Sequence, residues 1–251
     1  MTIEQLAKEL DILIPRDLSE PWDNDGRMII PNPSEEVTGV LCALDCTSVA
    51  IDMAIDRGYN VIVTHHPLIF KPIGAITPDD SVGKRIIKCI KHGISVLSYH
   101  TRLDSMQGGV NDVLAGYLGI KNTVAFLPYG RIGDVDEQSF EDFAKKTAEA
   151  LKLDVKSLGL VKASDRVKRV AVVSGCGKDE INDVIAAGAD TFVTGEVMHN
   201  HMIDCKELGL NLICGTHYAT ERLIVPILAD KINQYVPCAV YMFGREEEYG
   251  I

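Results

Sequence analysis

VTGVLCALDCTSVAIDMAIDRGYNVIVT (residues 37–64) and VKRVAVVSGCGKDEINDVIAAGADTFVT (167–194) decide the fold. Shifted by 130 residues, the second lies on the first without a gap, and Val37, Val40, Cys46, Ile51, Ile55, Gly58, Val63 and Thr64 recur. Each segment reads as a buried apolar strand, a helix stopped by glycine, and a second apolar strand. One register through both strands, with Gly58 and Gly188 at the same place, marks a duplicated strand-helix-strand unit.

Outward from this pair, strands and helices keep alternating. Helices are predicted over 47–57 and 81–92, with strands NVIVT (60–64) and ISVLS (94–98) and a further helix after Gly108-Gly109. At the N-terminus Thr2 and Gln5 form a capping-box pattern ahead of Ile3, Leu6 and Leu10 at helical spacing. The turn-rich stretch Pro15–Pro33 carries EPWDNDG (20–26) around the only tryptophan and reads as an ordered surface loop. A polar stretch, YGRIGDVDE (129–137), breaks the rhythm before the helix SFEDFAKKTAEAL and the second alternating series. The expected architecture is α/β, with two related α/β domains: 1–128 plus 218–251, and 129–217. The last helix and strand, 218–243, return to complete the first domain, and Pro226 kinks that helix.

Composition narrows the function classes. With 46% hydrophobic residues and no apolar run near the roughly 18–20 residues of a membrane helix, the chain is expected to be soluble and not membrane-bound. Lys+Arg 25 against Asp+Glu 36 gives a net charge of −11, which disfavours a surface built to neutralise phosphates and makes DNA a low-ranking partner. Seven cysteines, odd in number and without a CxxC, read as buried thiols in a reducing, cytoplasmic compartment; Cys46 and Cys176 are expected to pack.

The chemistry gathers where the strands end. NVIVT runs into His65-His66-Pro67 and its repeat partner into Gly195-Glu196. ISVLS leads to Tyr99-His100-Thr101-Arg102-Leu103-Asp104, and LNLIC leads to Gly215-Thr216-His217-Tyr218-Ala219-Thr220-Glu221. Open α/β sheets bind ligands at their carboxyl edge, and a helix starting near Tyr218 puts His217 and Glu221 one turn apart on one face. Three imidazoles (His65, His66, His217) and two carboxylates (Asp104, Glu221) suit a pair of divalent first-row ions, since neutral imidazole holds Fe, Zn, Mn or Co and a carboxylate can bridge two of them. Asp45, His100, Arg102 and Glu196 stand beside these as groups that orient ligands or line a substrate cavity. His100 and Arg102 could equally meet an anionic substrate. His201 is read as a cavity-lining or surface residue, and Gly175-Cys176-Gly177 as a tight turn, because no Walker pattern accompanies it.

VTHHPLIF (63–70), HTRLDSMQGGVND (100–112), TGEVMHNH (194–201) and GTHYATE (215–221), with EPWDNDG (20–26) in front, resemble the Nif-three-like family, whose members are often labelled GTP cyclohydrolase I type 2. The resemblance covers nearly the whole chain in order. It implies two α/β domains with a dinuclear metal site at the strand carboxyl ends between them, a toroidal homohexamer, and the same five ligands: His65, His66, Asp104, His217 and Glu221. One departure is Thr216, where the family usually has glycine directly before the histidine. The label implies hydrolysis of a nucleotide by hydroxide attack at the purine imidazole carbon, ring opening and loss of formate. Two other readings stand beside it: a non-catalytic metal-binding hexameric scaffold, and a DNA-binding or regulatory ring.

Overall fold

A computed structural model describes residues 1–242. Its elements run α1 (Ile3–Leu13), β1 (Gly26–Ile29), β2 (Val40–Ala43), α2 (Ser48–Asp56), β3 (Val61–Thr64), α3 (Ser81–Lys91), β4 (Ser95–Ser98) and α4 (Thr101–Ser105). There follow α5 (Val110–Tyr117), β5 (Lys121–Ala125), β6 (Arg131–Ser139), α6 (Phe140–Leu151), β7 (Gly159–Val161), β8 (Arg166–Cys176), α7 (Ile181–Ala186), β9 (Thr191–Glu196), α8 (His199–Glu207), β10 (Asn211–Cys214) and α9 (His217–Glu221). The series ends with α10 (Ile224–Ile232) and β11 (Cys238–Val240). The chain divides into two units: Met1–Leu103 with the segment from Ile224 onward, and Asp104–Leu223.

In the first unit the sheet order is β1-β4-β3-β2-β11, parallel except for β1. Every residue of β2, β3 and β4 is buried, as a parallel sheet covered on both faces requires. Helices begin where a side chain can take the first orphan amides: Thr2 with Gln5 at α1, Thr47 at α2 and Asp80 at α3.

In the second unit the order is β5-β6-β8-β9-β10-β7, with β8, β9 and β10 parallel and the other three antiparallel to their neighbours. The duplication is visible at the level of register. Val40 faces Val61 and Ala43 faces Thr64 in the first unit, while Val170 faces Thr191 and Val173 faces Thr194 in the second, the same pairs 130 residues on. It also extends further than the matched segments, because β1-β4-β3-β2 and β7-β10-β9-β8 are the same order with the same antiparallel edge. Gly58 and Gly188 both sit at positive φ, +68° and +80°, and end their helices without a Cβ penalty.

Four expectations change. The boundary expected near residue 128 falls at 103/104, and the return expected at 218 starts at 224. The reason is an exchange: α5, which follows the first repeat, packs on β8 with Leu114 and Ala115 in the second unit's core, while α10, which follows the second repeat, packs on β2, the equivalent strand. Residues 243–251 of the expected return lie outside the described residues. The polar stretch 129–137 is mostly strand, since β6 pairs with β8 and turns Ile132 and Val135 inward. The final helix is two helices, and Pro226 occupies the first turn of α10, where its missing N–H costs nothing. Among the described residues no helix is long and apolar enough to cross a membrane.

Candidate metal centre

In the first unit the chain leaves β3 through a sharp turn. The His66 amide donates to the Leu44 carbonyl at 2.9 Å, and the Thr64 hydroxyl donates to the His66 carbonyl at 2.8 Å. Successive residues of a strand point to opposite faces; this turn instead brings the His65 and His66 rings to 5.0 Å between centroids. His65 is fully buried, with Nδ1 3.0 Å from the Tyr99 carbonyl, and His66 Nδ1 is 2.8 Å from Asp45 Oδ1. His100 adds a third ring at 5.3 Å and 5.8 Å from the other two, and one nitrogen from each of the three lies within 4.8 Å of the others.

His100 is held in turn by the EPWDNDG loop. Its Nδ1 lies 2.9 Å from Asp23 Oδ1, while the Thr101 amide and hydroxyl donate to Asp23 Oδ2 at 3.0 Å and 2.7 Å. Burial alone would raise the Asp23 pKa, but hydrogen bonds from His100 and Thr101 outweigh it and hold the carboxyl at about 2. Arg102 is 1% exposed and engaged on every side: Asp25, Asp11 and the Ile14 carbonyl each accept at 2.9 Å, and the guanidinium sits 4.5 Å over the Tyr99 ring. That leaves Arg102 a bracing role, tying α1 and the loop to α4, rather than contact with an anionic substrate.

In the second unit β10 runs into α9 through Thr216, whose φ of +63° and ψ of 146° are a backbone conformation close to the glycine-only region. The twist starts the helix at His217 and puts His217 Nε2 3.2 Å from Glu221 Oε2, one turn on. On its other side, His217 Nδ1 is 3.1 Å from Glu196 Oε1 at the end of β9. Two glycines make the space. A Cβ on Gly175, itself at φ +64°, would collide with the Glu221 carboxylate, and one on Gly195 would strike the Gly175 carbonyl and the His217 backbone. Asp104 stands half-buried in α4, at the start of the second unit. His201 is a capping residue, its Nδ1 accepting from the Met198 amide at 3.2 Å.

The donor chemistry fits transition-metal ions. In each of His65, His66 and His217, Nδ1 is matched to a carbonyl or carboxylate, which selects the Nδ1–H tautomer and presents Nε2 as the coordinating nitrogen. The Nε2–Oε2 pair of His217 and Glu221, two lone-pair atoms 3.2 Å apart, is a natural cation bite.

Sequence reading did not find Asp23 as the residue that anchors His100, nor Gly175 and Gly195 as the space around Glu221. The glycine signal was there, as a conspicuous GCG and TGE at two strand ends. Of the pair expected to pack, Cys46 is buried and Cys176 is exposed, because β8 carries Cys176 out to the sheet edge opposite Glu196.

Residues 1–245 match the family described as Duf34/NIF3 (NGG1p interacting factor 3). A protein of Clostridium acetobutylicum named GTP cyclohydrolase 1 type 2 homolog is 33% identical, over 93% of this chain and 90% of its own length. The crystal structure of a Staphylococcus aureus hypothetical protein superposes with a TM-score of 0.87 at 30% identity, covering 96% of each chain. A Bacillus cereus protein related to NIF3 shares the fold, with a TM-score of 0.91 at 23% identity over 98% of each chain.

Proposed function

The chain belongs to the Duf34/NIF3 family, and on that footing we propose that it is a metal-dependent hydrolase holding two divalent transition-metal ions, Fe, Zn, Mn or Co, through His65, His66, Asp104, His217 and Glu221. The observation that carries the reading is the shared treatment of the three histidines, each with Nδ1 on an acceptor so that Nε2 faces the site. When bound, such ions acidify coordinated water and polarise the bond under attack. The chain's own part is positional. Asp45 and Glu196 fix the rings of His66 and His217, the Tyr99 carbonyl fixes His65, and Gly175 leaves room for the Glu221 carboxylate.

The relatives' name supports a purine nucleotide as the substrate class; one water would open the imidazole ring at its carbon and a second would release that carbon as formate, leaving a diaminopyrimidine. The same reading makes the chain one subunit of a toroidal homohexamer in the cytoplasm, where its seven free thiols stay reduced. Three imidazoles and two carboxylates would leave positions open on two such ions, which exchangeable water would fill.

Elemental analysis tests the assignment directly. The purified chain is expected to hold about two ions per subunit, and His66→Ala with Glu221→Ala to lose most of them. Cobalt-substituted protein should change its visible spectrum on adding phosphate and should turn over a purine nucleotide only when loaded. Full metal occupancy in the double variant would sink the ligand set. A spectrum indifferent to every anion and nucleotide would reduce the protein to a metal-holding scaffold.

A further inference from the structure

We propose that Trp22 and Phe70 form a stacking platform for a planar heteroaromatic ring, delivering its edge to the imidazole cluster of the first unit. Trp22 is 62% exposed and Phe70 46% exposed. An exposed tryptophan on a loose loop needs no explanation, but this loop is bolted down. The Glu20 amide donates to the Thr101 hydroxyl at 3.0 Å, Asp23 receives His100 and Thr101, the Asn24 side-chain amide donates to the Ile69 carbonyl, and Asp25 accepts from Arg102. These anchors reach both segments that flank the histidines and fix the indole at the solvent boundary.

Trp22, Phe70 and His100 then stand mutually perpendicular. Their centroids are 6.1, 6.2 and 5.9 Å apart, with interplanar angles of 84°, 80° and 88°. No two of these rings stack in parallel, and Trp22 and Phe70 both keep open surface toward solvent. His100 belongs at once to this triad and to the His65-His66 cluster, so a ring laid on Trp22 has its edge beside the imidazoles. Phe70 also lines an open cavity of about 440 Å³, a size that accepts a small ligand, with both Lys71 and Asp80 on its wall. Base–aromatic stacking tolerates different bases because every base offers a π face. The ligand class is therefore a nucleobase-type ring. This inference deepens the hydrolase reading and rests on it for the identity of the neighbouring site.

Trp22 is the chain's only tryptophan, so its emission reports on this platform alone. The metal-loaded full chain is titrated with guanosine monophosphate, adenosine monophosphate, ribose 5-phosphate and inorganic phosphate, exciting at the red edge of the indole band. Both nucleotides should quench saturably, and the two controls should not. Phe70→Ala should weaken nucleotide binding by about 5- to 100-fold, with metal content and far-ultraviolet circular dichroism unchanged. Calorimetry on Trp22→Leu should show a similar loss without relying on emission. Quenching by ribose 5-phosphate as strong as by the nucleotides, or unchanged affinity in Phe70→Ala and Trp22→Leu, overturns the platform. A chain that holds two ions yet shows no nucleotide quenching overturns it too and leaves the metal assignment standing. One that quenches normally but holds no metal supports the platform and refutes the metal assignment.

Discussion

Asp45 Oδ1 lies 2.8 Å from Nδ1 of His66, so the residue just beyond β2 sets the tautomer of a histidine just beyond its neighbour β3. The pairing predicts a graded response. Asp45→Ala removes the acceptor and should lower metal affinity by about 10- to 100-fold, the usual cost of losing a ligand's outer partner. Asp45→Asn keeps a carbonyl oxygen at the same distance and should retain most of the affinity. Competition with a chromophoric chelator measures both, and equal losses would show that charge, not orientation, is what Asp45 supplies.

Gly175 and Gly188 both sit at positive φ, +64° and +80°, but only Gly175 is crowded. Gly188→Ala meets nothing within 4 Å and should cost only the left-handed backbone penalty, about 1–2 kcal/mol. Gly175→Ala adds a methyl inside the Glu221 carboxylate and should also displace that ligand. The expected outcome is similar or greater destabilisation by denaturant for Gly175→Ala, with metal lost only there. Metal retained in Gly175→Ala would mean that Glu221 can move aside without consequence.

Most of the repeat was legible because apolar periodicity and a helix-stopping glycine survive at a fixed 130-residue offset, and those signals are local. What escaped was non-local. Nothing in VNDVLAGY announces that α5 packs on β8 of the second unit while α10 packs on the equivalent β2; both helices carry ordinary apolar stripes that fit either sheet. The candidate ligands were legible for the same local reason, since each lies within a few residues of a strand end or one helical turn from another. Asp23 was not, because it reaches His100 across 77 residues of sequence.

Thr216 carries a cost in its backbone conformation. Its φ of +63° and ψ of 146° lie near a region held by glycine almost alone, worth about 1–3 kcal/mol of strain in any other residue. Its hydroxyl returns something by accepting from the Ala219 amide at 3.2 Å as the cap of α9. Thr216→Gly relieves the strain and loses a few tenths of a kcal/mol of capping plus about 0.5–1 kcal/mol of chain entropy, so it should raise stability by about 1 kcal/mol. Thr216→Val keeps the strain, loses the cap and should cost about 1 kcal/mol. Thermal unfolding of the two variants decides it, and a lower midpoint for Thr216→Gly would show that the backbone there is not strained.

Thiol reactivity gives an independent reading of the burial pattern. The nucleophile is the thiolate, so a thiol responds to both its access and its pKa. Burial pushes Cys205 up to about 11 and Cys214 up to about 12, and desolvation together with Cys238 drives Cys42 well above the ordinary thiol range. A raised thiol pKa keeps the group neutral below that value, so at pH 8 only about one molecule in a thousand carries a Cys205 thiolate and about one in ten thousand a Cys214 thiolate. Cys176 alone among the seven is exposed, at the end of β8. Iodoacetamide at pH 8 should therefore modify the exposed Cys176 and then the part-buried Cys238, whose thiol is held below its ordinary range by the hydrogen bond with Cys42, with Cys205, Cys214 and Cys42 reacting only on unfolding. Peptide mapping by mass spectrometry follows the order, and native protein in which Cys214 is labelled as fast as Cys176 would contradict the packing of β10 against its neighbours.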